Sequence, residues 1–459
     1  MALIKSISGI RGTIGGSVGT NLTPQDIVEC TAAFGTWVLS QHGSATVVVG
    51  RDGRISGDIV SALATNTLRS LGINVVDLGY STTPTVEMAV TMENAQAGII
   101  FTASHNPKQW NALKFLNHKG EFISAKDGAD VLANITNGNI QYASVDKLGK
   151  YRADYTYIEK HVSKILALPL VFTEAIKEKK YKVVVDCINS TGSLAMTPLL
   201  EQLGCEVILI HGELTGEFAH NPEPLPENLY DLSRAVQEHR ADLGIAVDPD
   251  VDRLVLVCED GDMFGEEYTL VAVADYILSH KPGNTVSNLS STRALRDVTE
   301  RRGGEYFAAA VGEVNVVEMM KVQNAVIGGE GNGGIIYPEL HYGRDSMVGA
   351  ALFLSLLATS NKKCSYLRRT YPGYFISKNK ITLDETVDLD DIFEKLKEKY
   401  KAHKLNTIDG LKIEFDTDWI HLRRSNTEPI IRIYAESQTE TIANNLAMKI
   451  KHDISDLLR

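Results

Sequence analysis

The sequence predicts an α/β chain: three units of one plan, then an α+β segment of a different kind. Two observations carry this. One is a recurring order of apolar strand, polar loop, helix ending near glycine, and second strand. The other is a change of pattern past residue 367, where charged amphipathic helices and short strands replace buried runs. A length of 459 residues suggests roughly three domains.

Thr23-Pro24-Gln25-Asp26 opens the first helix, with Thr23 as N-cap, Pro24 at the first helical position and an acid two residues on. In the first unit "ATVVVGRD" (45–52) is a β-branched strand, 57–71 a helix with Gly72 at its left-handed cap, and "INVVDLG" (73–79) the next strand. The second unit repeats this as "YKVVVDCINSTG" (181–192), a helix ending at "EQLG" (201–204), and "CEVILIHG" (205–212). The third copy is "NTVSNLSSTRALRDVTERRGG" (284–304) followed by "EYFAAAVGE" (305–313). Continuous apolar strands joined by crossover helices imply parallel neighbours. The last segment reads as a helix over 387–403, strands in "LKIEFD", "WIHLRRS" and "IIRIYAES", and a helix from about Glu440 to Leu458. Domain limits are expected at 1–150, 151–258, 259–367 and 368–459.

Apolar residues make up 44% and charged residues 23%, the balance of an ordinary globular chain. A net charge of −12 without a long basic run argues against nucleic-acid or acidic-membrane binding. The five cysteines are scattered and form no Cys-x-x-Cys pair, as in a reduced, cytoplasmic protein. No apolar run approaches the ~20 residues that span a bilayer. No coiled-coil heptads appear, and monomer and homodimer both stay open.

Four stretches carry chemistry. "TASHNP" ends a buried apolar run, which sets Ser104 at the carboxyl end of a strand. It lacks the Gly-x-Ser-x-Gly of a nucleophile elbow, and adjacent His105 is poorly placed to deprotonate its neighbour. "DPDVDR" alternates Asp248, Asp250 and Asp252, so that in an extended chain all three share one face. Hard oxygen donors at that density suit Mg²⁺; the alternative is a solvated acidic turn. A calcium EF-hand is excluded, because Arg253 stands where that loop needs glycine. "GGEGNGG" (328–334) lets backbone approach a ligand and presents Glu330 and Asn332; the alternative is a flexible surface loop. "LRRSNTEPIIRIYAE" (422–436) gathers Arg423, Ser425, Asn426, Thr427 and Arg432, a phosphate cradle or else a turn feeding a strand. Arg11, flanked by glycines, is a candidate to reach an anion, the alternative being an ordinary surface loop, while Arg51, Asp52 and Arg54 read as structural ion pairs flooring the site.

These four motifs, in this order, resemble the α-D-phosphohexomutase superfamily: the phosphoglucosamine mutases, phosphoglucomutases and phosphomannomutases. The resemblance spans 102 to 429 and its layout fits the whole chain. It implies four domains, three related α/β units with mixed sheets and a C-terminal α+β domain, in a heart around a central cleft. It implies a phosphoserine at Ser104, with Mg²⁺ held by Asp248, Asp250, Asp252 and the Ser104 phosphate. Hexose 6-phosphate and hexose 1-phosphate would interconvert through a hexose 1,6-bisphosphate, which also serves as activator. Lys114 would handle the hydroxyl proton, assisted by Arg11, His105 and Arg253. Glu330 and Asn332 would take sugar hydroxyls, and Arg423, Ser425, Asn426, Thr427 and Arg432 the distal phosphate. Here Asn332 and Gly334 stand where many bacterial members carry serine and histidine. The sugar is expected to be glucosamine phosphate, with glucose or mannose phosphate as alternative. A phosphatase and a non-catalytic sugar-phosphate binder are the rival readings.

Overall fold

The structure is a computed structural model that describes residues 3–6, 9–382, 389–424 and 430–457. The chain forms two compact units, Met1–Tyr276 with Asn332–Arg368, and Ile277–Gly331 with Arg369–Arg459.

In the first unit a mixed sheet contains β1 (Ile4–Ser6), β2 (Gly9–Thr13), β3 (Thr46–Arg51), β4 (Asn74–Tyr80), β5 (Ala97–Phe101), β6 (Trp110–Leu116) and β7 (Tyr151–Ala153). Their order is β1-β2-β6-β5-β3-β4-β7. The crossover-linked strands β5, β3, β4 and β7 are parallel. The pairs β1–β2, β2–β6 and β5–β6 run antiparallel, which makes the sheet mixed, as the family resemblance implies. The sheet reaches Ala153, three residues past the boundary expected at 150. Helices Pro24–His42 and Gly57–Ser70 cover one face. The first is fixed by a capping box in which Thr23 and Asp26 satisfy each other's backbone N–H. Val47, Val49, Ile99 and Phe101 point into this layer, where Phe34 stacks on Phe115 with centroids 4.2 Å apart.

A second sheet follows, with β8 (Lys182–Asp186), β9 (Glu206–Ile210), β10 (Leu243–Val247) and β11 (Leu254–Cys258) in the order β11-β10-β8-β9. β9, β8 and β10 are parallel, and β11 turns back antiparallel to β10. Every residue of β10 and β11 is buried, as their unbroken apolar sequence demands.

The second unit contains β12 (Thr285–Asn288), β13 (Tyr306–Ala309) and β14 (Ile327–Glu330), parallel with β12 central. β15 (Gly334–Ile336) belongs to the first unit. The second unit is completed by β16 (Phe375–Thr382), β17 (Lys404–Asn406), β18 (Leu411–Glu414), β19 (Trp419–Arg424) and β20 (Ile430–Ser437). These form an antiparallel sheet ordered β16-β20-β19-β18-β17. Helices Leu389–Lys399 and Glu440–Leu457 supply Ile392, Leu396, Ile450 and Ile454 to the core over its Ile420, Ile431 and Ile433. All five cysteines are buried and unpaired. Among the described residues no helix is long and apolar enough to cross a membrane.

Candidate active site

Ser104 stands three residues beyond the end of β5, is 6% exposed, and has a left-handed backbone with φ +50°. A non-glycine residue rarely adopts that region unless its surroundings enforce it. The enforcement is visible. Ser104 N–H donates to Thr102 Oγ1 (2.9 Å), and that hydroxyl donates to Asp52 Oδ2 (2.6 Å). Arg54, paired to Asp52 at 3.0 Å, donates to the carbonyls of Ser104, Asn106, Pro107 and Trp110. One buried guanidinium thus satisfies the loop that presents the serine. Asp52 and Arg54 are the ion pair read from the sequence; Arg51 instead lies over the Tyr80 ring, 3.8 Å from its centroid.

The three aspartates converge through a turn between β10 and β11, not through an extended chain. Val251 at the middle of the turn has φ +62°, and a β-branched residue there is an outlier. Asp248 Oδ1 accepts from the N–H of Asp252 and of Arg253, both at 3.1 Å. Its Oδ2 accepts from Ser104 Oγ at 2.8 Å. Asp250 Oδ2 accepts from Thr83 Oγ1 (2.6 Å) and Lys114 Nζ (2.9 Å). Asp252 Oδ2 accepts from Arg344 at 2.6 Å. All three are fully buried, and one oxygen from each lies within 4.8 Å of the others.

Two oxygens, Asp250 Oδ1 and Asp252 Oδ1, are buried and accept no hydrogen bond from the described residues. Orphaned carboxylate oxygens in a dry site carry a large desolvation cost unless a cation meets them. Without one, burial and the charges of Asp252 and Asp250 push the Asp248 carboxyl well above its usual range. Asp250 goes the other way: against the cost of burial, the Lys114 ammonium and the Thr83 hydroxyl hold it low. This donor set fits a hard divalent cation.

His105 is not the partner of Ser104. Its Nδ1 lies 3.4 Å from Ser104 Oγ but only 2.8 Å from Arg253, whose guanidinium can only donate. Nδ1 is therefore an acceptor and the imidazole neutral. Burial, then Arg253 and Lys114, bring the His105 pKa down to about 2. Arg253 also faces Glu223 at 3.5 Å. Lys114 is an ammonium: although burial opposes it, Asp250 and Asp252 raise its pKa. Arg11 on β2 pairs with Ala112 on β6, and Gly9 with Lys114, so Arg11 and Lys114 are diagonal neighbours on one sheet face.

In the second unit Glu330 ends β14, where its Oε1 accepts from Asn288 Nδ2 (2.8 Å) and Gly312 N–H (3.1 Å). Asn332 lies in the first unit, its side chain closing a turn onto Gly334 N–H at 3.2 Å. Arg423 on β19 and Arg432 on β20 are register partners, and Arg432 also opposes Lys380 on β16. Like charges directly across strands repel, a repulsion that an anion on this face would relieve. Arg423 contacts Asp409 at 2.7 Å. Ser425, Asn426 and Thr427 lie outside the described residues.

Comparison with known proteins identifies the family. Four family models match in order, phosphoglucomutase/phosphomannomutase alpha/beta/alpha domain I over residues 3–142, domain II over 156–261, domain III over 265–374 and the C-terminal domain over 381–452. This chain belongs to the phosphoglucomutase/phosphomannomutase family. It is a mutase of the phosphohexomutase group, with a four-domain architecture and mixed sheets. A probable phosphoglucosamine mutase of Methanopyrus kandleri is 35% identical over 96% of this chain and 95% of its own. A phosphoglucomutase/phosphomannomutase of Thermococcus kodakarensis is also 35% identical, over 94% of each chain. A crystal structure of a family protein from Burkholderia thailandensis superposes with TM-score 0.86 at 26% identity, covering 99% of this chain and 97% of that one.

Sequence reasoning missed Thr83, Arg344, Glu223 and Lys380. Thr83, Glu223 and Lys380 sit in no motif, and Arg344, in the Gly-Arg-Asp ten residues past Gly334, carries no spacing signal that ties it to Asp252; each reaches its partner only through the fold. Arg344 also explains Gly334. A Cβ at 334 would lie 2.4 Å from Arg344 Cδ, so the glycine makes the space through which Arg344 reaches Asp252.

Proposed function

We propose that the mutase interconverts hexose 6-phosphates and hexose 1-phosphates through a phosphoserine at Ser104 and a hexose 1,6-bisphosphate. The observation that carries this is the Ser104 hydroxyl, 2.8 Å from Asp248 in a buried triad with two unpartnered carboxylate oxygens. Asp248, Asp250 and Asp252 would hold Mg²⁺, which when bound supplies charge neutralisation for phosphoryl oxygens. In the first transfer the Ser104 Oγ–P bond breaks and a bond from phosphorus to the sugar hydroxyl oxygen forms. Lys114, as an ammonium, gives its proton to Ser104 Oγ and regains one from the sugar hydroxyl. Turned about, the bisphosphate returns its other phosphoryl group to Ser104 by the same exchange in reverse. Arg253 and neutral His105 orient the serine loop, and Arg11 supports the charge beside Lys114. Glu330 and Asn332 take sugar hydroxyls. Arg423 and Arg432, with Ser425, Asn426 and Thr427, take the phosphate that does not react. The domain limits near 150, 258 and 367 belong to the same reading.

Glucosamine phosphate is the proposed sugar. Broad glucose and mannose phosphate use is the second reading, since relatives of both kinds are equally similar at 35% identity. The test is a coupled assay with Mg²⁺ and a trace of hexose 1,6-bisphosphate, offering the three sugar phosphates side by side. Isomerisation supports the reading and kcat/KM ratios name the sugar. Release of free phosphate alone would make the protein a phosphatase.

A further inference from the structure

A second cluster of ligand-bearing side chains lies in the first unit, outside the aspartate triad: Asp186, His211 and His220. Asp186 ends β8, His211 follows β9, and His220 lies nine residues on in an irregular segment. Asp186 is buried at 1% exposure, and the two imidazoles are partly open to solvent. One ligand atom from each lies within 4.8 Å of the others.

The hydrogen bonds constrain what sits among them. His220 Nδ1 is 2.8 Å from the Asn221 carbonyl oxygen, which can only accept. Nδ1 therefore carries a hydrogen, and in the neutral ring Nε2 is a bare lone pair. That lone pair faces Asp186 Oδ2 at 2.9 Å. His211 Nδ1 faces Asp186 Oδ1 at 3.0 Å, with its other nitrogen 3.8 Å from Asp231 Oδ2. The bare His220 Nε2 aimed at a carboxylate needs a proton or a metal ion between them, while His211 Nδ1 either carries its own hydrogen toward Asp186 or joins the same ion as a ligand.

The outer partners match a metal site. A ligating histidine commonly commits its second nitrogen to a backbone carbonyl or carboxylate, which fixes ring and tautomer. Asn221 O stands in that position for His220, and the Asp231 carboxylate lies 3.8 Å from the second nitrogen of His211, near it but not hydrogen-bonded. Donor atoms around a tetrahedral ion with bonds of about 2.0–2.1 Å stand roughly 3.3 Å apart, so the two observed N···O separations need open only slightly. Imidazole nitrogen with a single carboxylate selects a borderline ion over Mg²⁺.

We propose that Asp186, His211 and His220 form a transition-metal site of the Zn²⁺ class, separate in chemistry from the all-oxygen triad. Its role is to brace the segment from His211 to Glu223, whose last residue meets Arg253. Asn189 shows that the segment is already tied down here: its N–H donates to the His211 carbonyl (2.7 Å) and its Oδ1 accepts from Ala219 N–H (3.1 Å).

The experiment is Zn²⁺ titration by calorimetry of the full chain, stripped by chelator and then held in excess Mg²⁺ to saturate the triad. X-ray absorption at the zinc edge of the loaded wild-type protein reads the ligands directly. The expected result is one equivalent of Zn²⁺ with imidazole scattering. His211→Ala and His220→Ala should each lose about a hundredfold or more in affinity, and Asp250→Asn should keep it. His211→Gln serves as a milder variant where alanine unfolds the chain. No Zn²⁺ binding in the wild type, ligation by oxygen alone, or affinity indifferent to both histidines would overturn the site and leave a proton-bridged network. None of these readouts depends on mutase turnover.

Discussion

Ser104 Oγ donates to Asp248 Oδ2 at 2.8 Å, so the hydroxyl of the proposed phosphate carrier is already aimed at the carboxylates proposed to hold the metal. Ser104→Ala removes the carrier and leaves the sugar and phosphate contacts. Turnover should fall by at least roughly a thousandfold, while calorimetry still shows sugar-phosphate binding. Normal turnover in this variant would refute the carrier role.

Thr83 and Arg344 hold Asp250 and Asp252 from behind. Partners of this kind typically carry about 10–100-fold in metal affinity or activity. Thr83→Val should therefore raise the Mg²⁺ concentration for half-maximal activity by about that factor. Arg344→Gln should reduce activity at saturating Mg²⁺ by a similar amount, and an unchanged Mg²⁺ profile in both would remove these two from the site.

His105 gives a pH signature. An unfolded histidine takes a proton near pH 6.5, whereas native His105 does so only near 2, because burial, Arg253 and Lys114 disfavour its charged form. The unfolded state therefore binds more protons below 6.5. The stability that neutral His105 contributes is present above pH 6.5 and is lost progressively as pH falls toward 2. Its ring resonances should stay unchanged between pH 7 and 5, and His105→Gln should flatten the fall of Tm across that range. Titration of His105 near 6.5 would show that the Arg253 contact is not made.

Arg423, Arg432 and Lys380 form one cross-strand row. A hydrogen bond to a charged group is worth about 1.5–3 kcal/mol, or about 10–100-fold in binding. Arg423→Ala should raise KM by that factor with little change in kcat. Lys380→Ala, at an exposed position, should raise KM less. Equal loss of kcat in Arg423→Ala, with KM unmoved, would place it in the chemical step instead.

Arg54 is buried and serves four carbonyls as well as Asp52. Arg54→Met leaves Asp52 buried and unpaired, a loss of about 3–5 kcal/mol for a broken buried pair. A clear drop in Tm is expected, with faster proteolysis between Ser104 and Trp110. An unchanged Tm would mean the loop is held by other contacts.

The sequence by itself determined the alternation of strands and helices, because apolar runs, caps and terminal glycines are local signals. Thr23 with Asp26, and the helix over Gly57–Ser70, form as their residues imply. It also determined Ser104 and the three aspartates as candidates, since hydroxyl and carboxylate clusters at strand ends are legible in one dimension. The tertiary structure alone decided how they meet. Asp248, Asp250 and Asp252 converge through a turn at Val251 with positive φ, where alternation in an extended chain was the expectation. Thr83, Arg344 and Lys380 reach their places through packing and strand register across long stretches of chain. His105 is neutral because it is buried and a guanidinium 148 residues away donates to it. Local propensity follows from neighbouring residues, but hydrogen-bond direction, burial and charge state depend on groups that only folding brings together.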